Sequence, residues 1–367
     1  MNVKFAARAA LAGGIAAISL GALVAPAQAD PQPDPFTGNT FRQLVGVGSD
    51  TTQDVMNALS QQIVDSDNFP DPLLIASYNA TNPNWDPTDN IPPQHDNIVT
   101  RSGNTAFPRP DGSGAGIATL IGDTNAADVD FARSSNGPAT PGNDLTFIPY
   151  ALDAVTWAVK PTSPLNGESF TKADLQNLYQ CKDLDGNPLL PNTFAEVDGV
   201  EVHPLLPQAG SGTRKFWEAQ LNITDATLGS CVSDKKSDGT DVQEHDGSGL
   251  QRDGDIMPFS IASFIAQTNS ATTGVTDRRH GAVLQTIGGS QPTVNSKLNT
   301  DFPITREVYN VFRTTRLADP DIFLAFESKF DDPSLPNIAI CDQGDIIEKF
   351  GFAQVDNCGA TNITGNS

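Results

Sequence analysis

The sequence is short of positive charge. Its 367 residues hold 22 Lys and Arg against 44 Asp and Glu, a formal net charge of −22. Such a surface offers no Coulombic attraction to nucleic acid or to an anionic membrane, which argues against both as partners. Histidine is also scarce. His95, His203, His245 and His280 stand at spacings that do not suggest metal ligation. The four cysteines, Cys181, Cys231, Cys341 and Cys358, include no C-x-x-C pair. There is no G-x-S-x-G elbow, no H-E-x-x-H, no Walker A loop and no dinucleotide-type G-x-G-x-x-G. With 44 carboxylates, no acid/base pair can be singled out by spacing. The expectation is a protein without catalytic residues, cofactor or metal.

The first residues read as a leader. Lys4 and Arg8 precede an apolar, glycine-broken stretch from Ala9 to Ala25, and Ala27-Gln28-Ala29 forms a small-residue cleavage site. This predicts a secretory signal peptide over 1–29, cleaved after Ala29, and a secreted product, extracellular or associated with the cell envelope. No cysteine lies near the cleavage point, so a lipid anchor is not indicated. Cleavage would leave 338 residues and, with two basic residues gone, a charge of −24. In an oxidising compartment the cysteines are expected to form structural disulfides. Three pairings are possible, and the local one, Cys181 with Cys231 and Cys341 with Cys358, closes the shortest loops.

Strand-like and helix-like segments alternate along the rest. Phe41–Val47 reads as a first strand, followed by a helix from about Thr52 with Val55, Met56, Leu59 and Ile63 at helical spacing. Residues 65–112 read as an irregular excursion with one strand, Leu74–Tyr78. A helix is expected over Ile117–Ile121, and a strand end at Phe131–Ser135. Apolar runs 145–152 and 155–159 suggest strands interrupted by Pro149, and 256–261 suggests another. Further helices are predicted at 170–179, capped by Thr171 with Asp174, at 215–221, at 318–330 and at 345–350. Residues 231–253, rich in Asp, Gly and Ser, read as a solvated loop, and Asp183–Asn187 as a solvated turn. The alternation predicts an α/β fold with largely parallel sheets.

One pattern recurs before helices. Gly48-Ser49-Asp50-Thr51-Thr52, Asp111-Gly112-Ser113-Gly114-Ala115-Gly116 and Gly210-Ser211-Gly212-Thr213-Arg214 each join glycine to hydroxyl residues, and Arg133-Ser134-Ser135 ends a strand. Helix starts carry unpaired N–H groups and a positive dipole end. Glycine allows close approach, and hydroxyls donate hydrogen bonds without bulk, so converging loops of this kind suit a small tetrahedral oxyanion. A single Ser or Thr in this position is more often just an N-cap. Guanidinium groups suit phosphate geometry, although Arg214 could be a surface charge and Arg133 a fold-stabilising partner.

In their order, these segments resemble the phosphate-binding proteins of bacterial ABC importers, of the type II periplasmic-binding-protein class. Gly48–Thr52 and Asp111–Gly116 resemble that family's first two loops, and Gly210-Ser211-Gly212-Thr213 resembles its Gly-Ser-Gly-Thr segment. The family's arginine four residues before that serine is Pro207 here, with Arg214 or Arg109 as replacements. Its proton-accepting aspartate is replaced by Ser134-Ser135, with Asp50 or Asp111 able to take the role. The resemblance implies two α/β lobes with two crossings, lobe one over 40–150 and 256–345, lobe two over 151–255, and a C-terminal extension over 346–367. It implies a monomeric solute-binding protein that captures inorganic phosphate, with an ABC permease as membrane partner. The implied ligand-binding residues are Ser49, Asp50, Thr51, Thr52, Ser113, Gly114, Arg133, Ser134, Ser211, Gly212, Thr213 and Arg214. A secreted phosphatase or hydrolase on the same fold, or a receptor for another oxyanion such as sulfate, is the alternative.

Overall fold

The computed structural model describes residues 30–366 except 36, 66–70, 86–92, 192 and 330–337. The leader and its cleavage site lie outside the described residues. The principal elements are β1 (Leu44–Gly48), α1 (Gln53–Ser60), β2 (Ile75–Ser77), α2 (Ser113–Gly122), β3 (Phe131–Ser134), β4 (Thr140–Val159), α3 (Lys172–Tyr179), β5 (Ala195–Val197), β6 (Val200–Pro204), α4 (Gly212–Gln220), β7 (Asp255–Ser260), α5 (Ile261–Thr268), β8 (Thr305–Arg313) and β9 (Thr364–Asn366). The strands join in the order β2-β1-β3-β8-β4-β7-β6-β5, with β9 also paired to β4.

The organising element is β4. Its 20 residues span roughly 65 Å at strand rise. Residues 145–154 pair with β8 on the side of β1, β2 and β3, and residues 155–158 pair with β7 on the side of β5 and β6. The two sheet halves are the sheets of two lobes, and β4 belongs to both. Pro149 does not interrupt it. The register shifts between Val308 and Tyr309, opposite Pro149, and the irregularity absorbs the missing donor.

The sheets are mixed, not largely parallel. β1 runs parallel to β2 and β3, and β7 runs parallel to β6, as crossover helices require. The strands that connect the lobes break the pattern: β8 is antiparallel to both β3 and β4, and β7 is antiparallel to β4. The segment 346–367 contributes β9, and Ala353 bridges Leu152 of β4.

Burial follows the side-chain pattern. In α1 the spacing of Val55, Met56 and Leu59 puts all three in the core, while Ile63 is buried beyond the helix end. Trp157 of β4 is fully buried, stacks on Phe170 at 4.6 Å and donates its indole N–H to the Thr286 carbonyl. Trp217 of α4 is equally buried and meets Tyr179 of α3 edge-on at 6.0 Å. Each such ring contributes on the order of 2–3 kcal/mol by leaving water. α3 has the expected reciprocal cap between Thr171 and Asp174. The helix expected over 318–330 is instead a short turn at Pro320–Ile322 followed by a wide π-turn over Phe323–Glu327. Both disulfides take the local pairing, Cys181–Cys231 and Cys341–Cys358. Asp183 accepts the Asn187 N–H at 2.7 Å, a closed polar turn. Among the described residues, no helix is long and apolar enough to cross a membrane.

Candidate ligand-binding site

The loops at the ends of β1, β3 and β6 meet where the lobes touch. The loop after β1 is buried throughout: Ser49, Asp50, Thr51 and Thr52. Arg133 of β3 shapes it from below. Its guanidinium, fully buried, donates to the carbonyls of Gly46 and Gly48 and to Ser77 Oγ, with Ser49 O at 3.4 Å. Burial lowers its pKa to about 10. Arg133 therefore holds the loop and takes no part in the cluster beyond it. Ser134 is likewise occupied locally, with Asn136.

The opposing surface comes from α4. Ser211 caps it by accepting the Arg214 N–H at 2.9 Å. Gly212 lies under lobe one so closely that a Cβ would stand 2.4 Å from Ser135 Oγ and 2.5 Å from Ser113 Oγ. Asn136 Nδ2 donates to the Gly212 carbonyl at 3.0 Å, and Ser113 Oγ accepts the Ser135 N–H. Gly112, at φ +93°, comes as close: a Cβ there would lie 2.8 Å from the Gly210 carbonyl. These glycines allow chain-to-chain contact between the lobes. Gly114 has Lys215 Nζ as the nearest group to its Cα face.

At the centre Thr51 and Thr213, one from each lobe, stand 3.3 Å apart. Both hydroxyls donate to the Oε2 of Glu244, at 3.1 and 3.0 Å. Arg306 of β8 donates through Nη2 to both hydroxyl oxygens, at 3.3 and 3.1 Å. The same guanidinium binds Asp153 of β4 through Nε and Nη2 at 3.0 and 2.9 Å, and both side chains are buried. Asp153 accepts two more hydrogen bonds, from Ser260 Oγ and the Ala262 N–H. His245 completes the ring. Its Nδ1 accepts the Ser260 N–H at 3.3 Å, so the ring proton sits on Nε2, which lies 3.0 Å from Thr51 Oγ1 and 3.2 Å from Glu244 Oε2.

The electrostatics are those of a buried anion amid donors. Burial pushes the Glu244 carboxyl up, but hydrogen bonds from His245 and Ser211, with the charge of Arg306, outweigh it and hold the pKa at about 2. Asp111 behaves oppositely. Burial, then the nearby Asp50 and Glu244 charges, push it up to about 8, so it is protonated at neutral pH. Asp50 has Arg278 at 3.6 Å. Asp50, Glu244 and His245 bring three ligand-type atoms within 4.8 Å of one another, a spacing a divalent cation could use. The Nε2–H orientation of His245 and the adjacent Arg306 and Arg278 favour hydrogen bonding over metal. In the same orientation His245 has no free lone pair for a Thr51 proton, and the Thr51 hydroxyl is left to donate to Glu244.

Of the residues named from sequence, Thr51, Ser211 and Thr213 converge on Glu244, with Asp50 beside them. Ser49 Oγ and Thr52 are buried in the same loop, and Thr52 precedes α1 without capping it. Arg214 is not there. It points away to Glu218 at 2.9 Å, Asp225 at 2.6 Å and Asp234 at 3.4 Å. Arg109 is held by Asp30 and Asp96 instead. The arginine of the cluster is Arg306, about 90 residues further along the chain than Arg214. Glu244, His245, Asp153 and Arg306 were not foreseen. The stretch read as a solvated loop is driven inward at 242–250, where Val242, Glu244 and His245 are buried. A Glu-His pair beside Val242 in that polar tract was the one available signal.

Comparison with known proteins bears on the architecture. The profile of the PBP superfamily domain matches residues 37–326. An ABC-type phosphate transport receptor from Vibrio cholerae has a similar structure, with 14% identity, 85% of this chain and 100% of that chain covered, and a TM-score of 0.50. A candidate phosphate ABC transporter substrate-binding protein with bound phosphate from Clostridium perfringens gives 14%, 86%, 100% and 0.50. The phosphate-binding protein of Stenotrophomonas maltophilia gives 11%, 86%, 91% and 0.47. No curated protein sequence matches. The profile match spans most of the chain and the fold is two-lobed: the chain belongs to the periplasmic-binding-protein (PBP) superfamily.

Proposed function

We propose that this protein is an exported solute-binding protein that captures a small oxyanion, hydrogen phosphate, between its lobes. It would act outside the cell membrane as a monomer and deliver its ligand to an ABC permease. The observation that carries the reading is the convergence of Thr51, Ser211 and Thr213, from both lobes, on the buried Glu244 carboxylate, with Arg306 donating to both threonine oxygens. The donors come from separate loops and strands, so a ligand bound among them would tie the lobes together. Glu244 bears on the choice of anion. Hydrogen phosphate brings an O–H that a carboxylate can accept. Sulfate brings only acceptors, and two anionic oxygens placed together without a proton are penalised. The relatives with similar folds include phosphate receptors, which fits the reading.

The test is equilibrium binding of phosphate to the stripped protein and to Thr51→Ala and Thr213→Ala. Each loss of a hydrogen bond to a charged ligand should weaken binding about tenfold or more. Unchanged affinity in both variants would mean that the ligand binds elsewhere.

A further inference from the structure

A concave site on lobe two is lined by residues other than those around Glu244. It is a cavity of about 470 Å³, and Phe194, His203, Lys235, Lys236, Arg252 and Asp255 are among its lining residues. None of the residues that converge on Glu244 lines it. Its walls are fastened: Cys231 is tied to Cys181, Ser233 bridges Leu205, and a turn closes between Lys235 and Asp241.

The charges around it are unevenly matched. Lys235 pairs with Asp241. Asp255 is occupied by the backbone N–H groups of Gln251 and Arg252. Asp253 is held by Lys160 at 2.7 Å, and Asp234 by Arg214 at 3.4 Å. Glu201 stands 3.9 Å from His203 Nε2. Lys236 and Arg252 remain without an ion pair within 4 Å among the described residues. The Arg252 guanidinium donates to His203 Nδ1, at 3.4 Å, and the His203 ring packs on Phe194 with centroids 4.1 Å apart. Positive charge therefore remains at the cavity, offset in part by Asp238, which feels the charge of Lys236, and by Asp255, which feels that of Arg252.

We infer that this cavity is a binding site for a small multivalent organic anion, bearing carboxylate or phosphate groups. Lys236 and Arg252 would meet the anionic groups, and the Phe194–His203 pair would provide an apolar wall. The proposal is independent of what the cleft binds.

The experiment is calorimetric titration of the full chain with citrate at low ionic strength. One saturable site is expected. The double variant Lys236→Glu/Arg252→Glu should weaken it at least tenfold, and about 0.5 M salt should weaken it too, because exposed ion pairs are screened. The neutral double variant Lys236→Gln/Arg252→Gln should fall between, which guards against a folding artefact. Thr213→Ala, in the cleft, should leave citrate affinity unchanged. No binding at millimolar citrate, equal binding by the charge-reversed variant, or loss of binding in Thr213→Ala would each overturn the assignment.

Discussion

Replacing Arg306 with methionine should be among the most damaging single changes in the molecule. Arg306 and Asp153 sit opposite each other on β8 and β4, in register, with 2% and 0% side-chain exposure. Methionine keeps much of the volume and removes the charge. Asp153 would retain its hydrogen bonds from Ser260 and Ala262 but would lose both guanidinium donors. The Thr51 and Thr213 oxygens would lose theirs as well. Removing one partner of a buried pair strands the other, at a cost of about 3–5 kcal/mol. Asp153→Asn should also be costly, because it strands the cation. The double variant Asp153→Asn/Arg306→Met strands neither charge, so it should cost clearly less than the two singles together, with a coupling of about 2 kcal/mol or more. Urea unfolding at neutral pH measures all three from the shift in midpoint at constant slope. A cost below about 1 kcal/mol for Arg306→Met, with additive singles, would place the pair in the class of exposed ion pairs and refute the reasoning.

Three further outcomes follow from the same geometry. Glu244 has its pKa held at about 2, below the ordinary carboxylate value, so its contribution is full above the unfolded pKa and lost as pH falls through the folded one. Wild type should lose on the order of 3 kcal/mol between about pH 4.5 and 2 on this account, and Glu244→Gln should show a flatter profile there; identical profiles would contradict it. Asp111, raised to about 8, has the opposite sign: it favours the folded state at low pH and destabilises it as pH rises from the ordinary carboxylate range through 8. Asp111→Asn should therefore gain thermal stability over wild type at alkaline pH more than at mildly acidic pH. Removing the Cys181–Cys231 bridge, which closes the longer loop, should cost about 4 kcal/mol and removing Cys341–Cys358 about 3, measured by denaturant unfolding; the reverse order would show that loop entropy does not decide.

Local features were readable in the sequence where chemistry acts locally. The Thr171/Asp174 cap, the spacing of Val55, Met56 and Leu59, and the turn at Asp183 depend on residues within a few positions of one another. The hydroxyl loops were readable for the same reason, and Thr51, Ser211 and Thr213 do meet. What escaped depends on long-range pairing. Nothing near Arg306 announces that β8 returns beside β4 and sets it opposite Asp153, 153 residues earlier. Glu244 and His245 sit in a polar tract whose composition reads as solvated, and only the closure of α5 and the first loop around them makes that tract interior. Adjacency of Arg214 to Thr213 in sequence does not fix direction: on the first turn of α4 the two side chains point to different sides of the helix. Sheet direction is not legible in the alternation of strands and helices, which says nothing about the strands that link the lobes.

In the proposed function the cleft holds a small oxyanion and Glu244 sets which one. Calorimetric titration of phosphate and sulfate into phosphate-stripped wild type and Glu244→Gln, at neutral pH, tests both parts at once. Wild type should bind phosphate one to one and prefer it to sulfate by at least about tenfold, and the variant's preference should narrow by a similar factor. Absence of heat for either anion at millimolar concentration, or an unaltered preference in Glu244→Gln, would contradict the account.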